Sequence, residues 1–178
     1  MILLETERLI LRNLLPEDAQ VMFDYRNNEA CARYQRGQTK DAEGIVQLIH
    51  RRAGDQLSAD APCLASVALK ATGEMVGEIV VIPSEHTFSL GYTFSYRHHR
   101  KGYAFEAVSA LMETLHERYP GWDFLCFTDP ENLPSMALLR KLGYREMGYL
   151  PVKASNVFGK WITSATEQEI ARAVRGEQ

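Results

Sequence analysis

Apolar residues recur along this chain with two different periods, and the changes of period mark out its elements. Segments 8–12, 63–69, 75–82, 87–96 and 122–128 read as strands, with the turn Ala71-Thr72-Gly73-Glu74 leading into the third of them. The clearest helix lies at 102–117, where Ala104, Val108, Leu111, Met112 and Leu115 fall at i, i+4, i+7, i+8 and i+11. A helix over 16–27 opens with Pro16 at its first position and Glu17 and Asp18 behind it. Another covers 41–52, with Ile45, Leu48 and Ile49 on one face, and a shorter one covers 134–142 and stops at Gly143. Residues 28–39 are polar and irregular. Strands at 145–152 and 157–163 precede a last helix, where Ser164 and Glu167 have capping-box spacing.

Only two helices separate the later strands, so the order does not fit a doubly wound dinucleotide fold. It predicts an α/β (α+β) architecture: a mixed, mostly antiparallel sheet of about seven strands with helices packed on it. The 178 residues suit a single domain over 1–178, with no internal repeat or Pro/Gly/Ser-rich linker.

No apolar run approaches the roughly 20 residues of a membrane span, and the N-terminus lacks the basic and apolar regions of a signal peptide. A cytoplasmic protein is therefore expected, with no membrane partner. The net charge of −3 argues against a nucleic-acid partner. Cys31, Cys63 and Cys126 are far apart and form no CxxC pair, so neither a metal site nor a disulfide framework is expected; they suit buried positions in a core.

The chemistry concentrates between Leu90 and Ala107. A strand, Leu90-Gly91-Tyr92-Thr93-Phe94-Ser95-Tyr96, runs into the basic loop Arg97-His98-His99-Arg100-Lys101 and then a helix whose first turn holds Gly102, Tyr103 and Ala104. A helix N-terminus presents unpaired N–H groups and a positive dipole end, and small residues let a phosphate approach that backbone. The same residues also suit a solvated basic turn. Neither a P-loop nor a GxGxxG spacing is present.

This segment resembles the GNAT acetyltransferase superfamily, whose signature is Gln/Arg-x-x-Gly-x-Gly/Ala at a strand–helix junction. The chain has His99-Arg100-Lys101-Gly102-Tyr103-Ala104, with His99 in place of Gln or Arg. Two further stretches are similar to the family in order and spacing. Asn132-Leu133-Pro134-Ser135 leads on to Gly143-Tyr144, and Thr6-Glu7-Arg8-Leu9-Ile10-Leu11-Arg12 is followed by Pro16-Glu17-Asp18-Ala19. The opening, and Ser135 where alanine also occurs, resemble the ribosomal-protein N-terminal acetyltransferases.

The resemblance implies acetyl-CoA as cosubstrate, bound where the strand at 87–96 splays from the strand at 122–128. Its pantetheine arm would pair with the exposed backbone of Tyr92, Thr93 and Phe94, as an added strand does. Its pyrophosphate would sit on the amides from Arg100 through Lys101, Gly102 and Tyr103 to Ala104, with His99 beside them. Asn132 would hold the arm through its amide, or simply cap a helix. Ser135 would donate a proton to the departing thiolate, since Leu139 stands where many relatives carry tyrosine. Tyr144 suits a core position. Backbone N–H near Gly91 and Tyr92 would stabilise the oxyanion.

A general base is harder to place. Ser89 stands where relatives carry glutamate, which leaves Glu78 or His86 acting through water. A peptide α-amine, with a pKa near ~7.8, is about a third neutral at about pH 7.5, whereas a lysine amine is only ~0.1% neutral there. The expected reaction is direct acetyl transfer to a primary amine that needs little help, a protein or peptide N-terminus. A small-molecule acceptor or an idle acetyl-CoA sensor are the alternatives. Acceptor contacts are expected from 28–40 and 151–160, with Glu29, Asp41 and Glu43 drawing a cationic acceptor, and Tyr34 and Trp161 lining the pocket or packing in the core. A monomer or homodimer is expected.

Overall fold

The computed structural model describes residues Met1–Glu177. The elements run β1 (Ile2–Glu5), β2 (Leu9–Arg12), α1 (Asp18–Arg26), α2 (Glu29–Ala32), α3 (Ala42–Arg52), β3 (Cys63–Leu69), β4 (Met75–Ser84) and β5 (Thr87–Phe94). They continue α4 (Tyr103–Arg118), β6 (Asp123–Thr128), α5 (Leu133–Lys141), β7 (Arg145–Leu150), β8 (Ser155–Lys160) and α6 (Ser164–Val174). One sheet holds all eight strands in the order β1-β2-β3-β4-β5-β6-β8-β7. Every pairing is antiparallel except β5 with β6, whose crossover passes through α4.

The expected mixed sheet is therefore present, with one more strand than predicted. The extra strand, β1, is a four-residue edge whose half-exposed apolar residues carry no clear period. The polar stretch after α1 contains a single helical turn, α2, which the Asn28 side chain caps by accepting from the Ala30 amide at 3.0 Å. The last helix is capped by Thr163, not Ser164: Thr163 Oγ1 accepts from the Thr166 amide, and the buried Asp123 carboxylate accepts from the Thr163 amide at 2.6 Å. The strand before it ends at Lys160, two residues after Phe158 enters the core.

Apolar cores fill both faces of the sheet. On one, Ala107, Val108, Leu111, Met112 and Leu115 of α4 pack with Ile79, Val81, Phe88, Leu90 and Phe124. On the other, Met22 and Tyr25 of α1 and Ile45 and Ile49 of α3 pack with Leu64 and Met75. All of β3 from Cys63 to Ala68 is buried, which accounts for its unbroken apolar run. No helix among the described residues is long and apolar enough to cross a membrane.

Candidate active site

The site begins where the parallel pair stops. β5 and β6 pair only at Thr87–Asp123, Phe88–Phe124 and Ser89–Leu125. Beyond that point β5 stays with β4 as far as Phe94, and β6 stays with β8 as far as Thr128. The two strands part, and a cleft of about 1060 Å³ opens between them, larger than the ~300–1,000 Å³ typical of small-ligand pockets.

Backbone direction along β5 follows from its partners. The Ser95 amide bonds back to Val76 O on β4, whereas the carbonyls of Leu90, Tyr92 and Phe94 take bonds from groups on the cleft side. Since N–H and C=O of one strand residue point the same way, the Tyr92 and Phe94 amides also face the cleft. The carbonyls are met by Cys126 Sγ at Leu90, by Gln35 Nε2 at Tyr92 (3.2 Å) and by the His99 ring at Phe94 (2.8 Å). The Thr93 backbone faces β4. Its side chain packs on the α1/α3 face and accepts from Gln38 Nε2 at 3.0 Å.

The loop after β5 turns twice through the left-handed region, at Arg100 (φ +63°) and Gly102 (φ +79°). Gly102 caps α4, and a Cβ there would stand 3.3 Å from Arg8 Nη2 besides forcing an unfavourable φ. The first helical bond runs from the Glu106 amide to Gly102 O, so the preceding amides have no intrahelical partner. Arg8 ties this turn to the β1–β2 hairpin. Its amide and Nε donate to Glu106, its Nη1 donates to Lys101 O at 2.8 Å, and Thr6 Oγ1 donates to Glu106. Burial alone would raise the Glu106 carboxyl, but the bonds from Thr6 and Arg8 hold it below its ordinary range.

Across the cleft, Asn132 caps α5, its Oδ1 accepting from the Ser135 amide at 3.3 Å. Ser135 Oγ lies 2.9 Å from the Tyr92 hydroxyl. Burial, reinforced by the Cys126 thiol, pushes the Tyr92 phenol well above its ordinary value, and the Ser135 hydrogen bond only partly offsets that. Burial also pushes the Cys126 thiol up to about 12, so it is no nucleophile near neutrality. The Thr128 hydroxyl is buried on the same wall without a partner among the described residues.

Of the residues expected to hold the coenzyme, Tyr92, Thr93, Phe94, His99, Arg100, Gly102, Tyr103, Ala104, Asn132 and Ser135 line the cleft. Lys101 does not; it contributes its carbonyl to Arg8. Tyr144 is core. Glu78 is also outside the cleft: it is buried under the loop after α2 and bonded to Arg26 Nη2 (2.6 Å), Arg26 Nε, Tyr25 Oη and Gln38 Nε2. A carboxylate so fully engaged is a structural ion pair and not a free base. His86 sits in the β4–β5 turn against Trp122, likewise away from the cleft.

Nor do Glu29, Asp41 and Glu43 reach the cleft. Asp41 caps α3, and Glu43 accepts from Gln47 on the same helix. The charged residues that do line it are Arg36, Arg100, Lys141, Lys153 and Asp129. Trp161 stacks on His116 with ring centroids 3.8 Å apart, while Tyr34 lines the cleft. Cys31, Gln35 and Arg36 fall within the 28–40 stretch expected to meet the acceptor, though no sequence pattern singles them out; they line the cleft because α2 turns the chain back over β5.

The chain matches the Acetyltransferase (GNAT) domain family over residues 8–145 and belongs to that family. It is 26% identical over 146 residues to YnaD of Bacillus subtilis (strain 168), an uncharacterized N-acetyltransferase, covering 81% of this chain and 83% of that protein. Its fold is similar to that of a GNAT-family acetyltransferase from Bacillus anthracis (TM-score 0.75, 23% identity, 89% of this chain and 96% of the other). It is also similar to RimL, a ribosomal L7/L12 alpha-N-protein acetyltransferase solved in complex with coenzyme A (TM-score 0.71, 14% identity, 90% and 97%). The protein is thus an acetyltransferase of the acetyl-CoA-dependent kind.

Proposed function

We propose that this enzyme transfers acetyl from acetyl-CoA to a primary amine that is already substantially neutral near pH 7.5, namely a protein or peptide N-terminal α-amine. The observation that carries this is the state of the carboxylates. Among the described residues lining the cleft there is one, Asp129, and it is held by Arg36 at 3.4 Å. Glu78, the other candidate base, is saturated. A lysine side chain would need roughly 3.5 kcal/mol more help to become neutral than an α-amine does.

The chain's own groups suit the reaction. The free amides at the start of α4 and the basic side chain of Arg100 would hold the pyrophosphate. The outward amides of β5 would pair with the pantetheine arm. The Tyr92 amide, in the splay, would support the oxyanion, and Ser135 Oγ would supply a proton to the departing sulfur. The bound coenzyme supplies the activated thioester.

The test is thiol release from acetyl-CoA at about pH 7.5. One panel holds short peptides with free N-termini, the other small amines and lysine side chains with blocked N-termini; Ser135→Ala is run alongside. Turnover on peptides, reduced in the variant, is the expected result. Turnover confined to small amines, or appearing on lysine only at high pH, overturns the choice of acceptor.

A further inference from the structure

The Tyr92 hydroxyl makes a contact that its place on β5 does not by itself require. Its ring stands on the face of β5 that packs against α4 and α5, and its oxygen meets Ser135 Oγ at 2.9 Å in the first turn of α5. Both side chains line the cleft. The backbone under Ser135 is fixed, because Asn132 Oδ1 takes its amide. Among the described residues its hydroxyl meets no other partner than Tyr92: it has one proton, two lone pairs and a freely turning O–H bond. One turn further along α5 stands Leu139, apolar and buried, which provides no second hydroxyl.

Which of the two oxygens donates decides what Ser135 can do. If Ser135 donated to Tyr92, its only proton would be spent inside the protein. A phenol is the stronger acid of the two, so the favoured arrangement has Tyr92 donating. We propose that Tyr92 is a positioning residue for acetyl transfer: its hydroxyl donates to Ser135 Oγ and thereby directs the single Ser135 proton into the cleft, toward the departing coenzyme sulfur. The inference rests on Ser135 being the proton donor.

In the step so arranged, the amine nitrogen bonds to the thioester carbon and the C–S bond breaks with its electron pair on sulfur. Ser135 passes its proton to that sulfur and recovers one, through solvent in the cleft, from the amine nitrogen. The net change moves one proton from nitrogen to sulfur. Tyr92 keeps its own proton throughout, in keeping with the upward displacement that burial imposes on its phenol.

The test compares wild type, Tyr92→Phe, Ser135→Ala and the double variant, with melting temperatures to show that each is folded. Tyr92→Phe removes one oxygen and keeps the ring. The first readout is steady-state kinetics on whichever acceptor the panel identifies. Tyr92→Phe is expected to lower kcat about tenfold with the KM for acetyl-CoA held within about twofold, and to have no further effect when Ser135 is already alanine. The second readout needs no acceptor: the ultraviolet absorbance of the thiolate of bound coenzyme A is followed against pH. A hydroxyl aimed at sulfur favours the thiolate, so either substitution is expected to raise the pH at which it forms, and both together no more than one. Losses that multiply in the double variant, or a Tyr92→Phe enzyme unchanged in both readouts, overturn the role of Tyr92. A silent Ser135→Ala removes the donor itself and this inference with it, whereas a damaged Ser135→Ala beside a silent Tyr92→Phe removes only the second.

Discussion

The two halves of the cleft are built in different ways. The half proposed to hold the coenzyme is largely one continuous piece of chain, from Leu90 to Phe105, whose shape is set by the β4–β5 register and two left-handed residues. The half proposed to meet the acceptor is gathered from Ala30–Arg36, Asp129 and the Val152–Ser155 turn, and long-range hydrogen bonds hold these together. Tyr34 Oη donates to Glu131 O, and Arg36 donates to Lys153 O, Ala154 O and Asp129. Beneath the same segment lie Arg26, bonded to Thr39 O, and Gln38, bonded to Glu78. The contrast predicts that a half made of local backbone tolerates side-chain changes that leave its φ angles alone, while a half assembled at long range depends on a few polar side chains.

The strongest way to break the comparison is at Glu78. Its side chain is 6% exposed and that of Arg26 4%, so neither charge has water to fall back on. Glu78→Gln leaves the guanidinium buried without a counter-charge, which costs on the order of 3 kcal/mol. For a chain of this size that is a fall of about 10 °C in melting temperature. We expect that fall in a thermal melt, while kcat measured well below the melt stays within roughly threefold of wild type. A melting temperature unchanged beside a collapsed kcat would instead make Glu78 the base.

These two halves also differ in how far the sequence reveals them. Gly102, Ala104 and the basic loop are neighbours in sequence and in space, so a linear motif exposes them. The V-shaped opening was implied by resemblance, and its physical origin is that β5 and β6 each have another partner to follow. Arg8 was visible only as part of a motif; its link to Lys101 O spans 93 residues and leaves no periodic trace. The pairing of Glu78 is not legible in the sequence, because a glutamate on a strand near a cleft reads alike whether it is free or paired. Only the position of Arg26, 52 residues away, decides it. The acids expected to attract the acceptor were misplaced for a similar reason, since Asp41 and Glu43 serve their own helix.

A second break falls in the coenzyme half. Gly102→Val places a β-branched side chain at φ +79° and against Arg8, at a cost of about 1–3 kcal/mol. Because the strain sits at the start of α4, the KM for acetyl-CoA is expected to rise at least about tenfold with the acceptor KM little changed. Gly102→Ala should show the same pattern more weakly. A comparable rise in both constants would mean that the halves are not independent.

The gentlest probe is Arg36, which is mostly exposed and so contributes little to stability; Arg36→Ala should change it by less than about 1 kcal/mol. Its effect should be on shape. The guanidinium reaches the carbonyls of Lys153 and Ala154 from one side of the cleft to the other, at 2.7 and 3.1 Å. Without it the Lys153 turn loses its tether to the loop after α2, and the acceptor end widens. The acceptor KM is then expected to rise about fivefold, a loss of roughly 1 kcal/mol in binding, with the KM for acetyl-CoA unchanged. Arg36→Lys should not restore it, because a single ammonium cannot span two carbonyls as the planar fork does. Full restoration by lysine would show that charge at the mouth, and not the bridge across it, is what the acceptor meets.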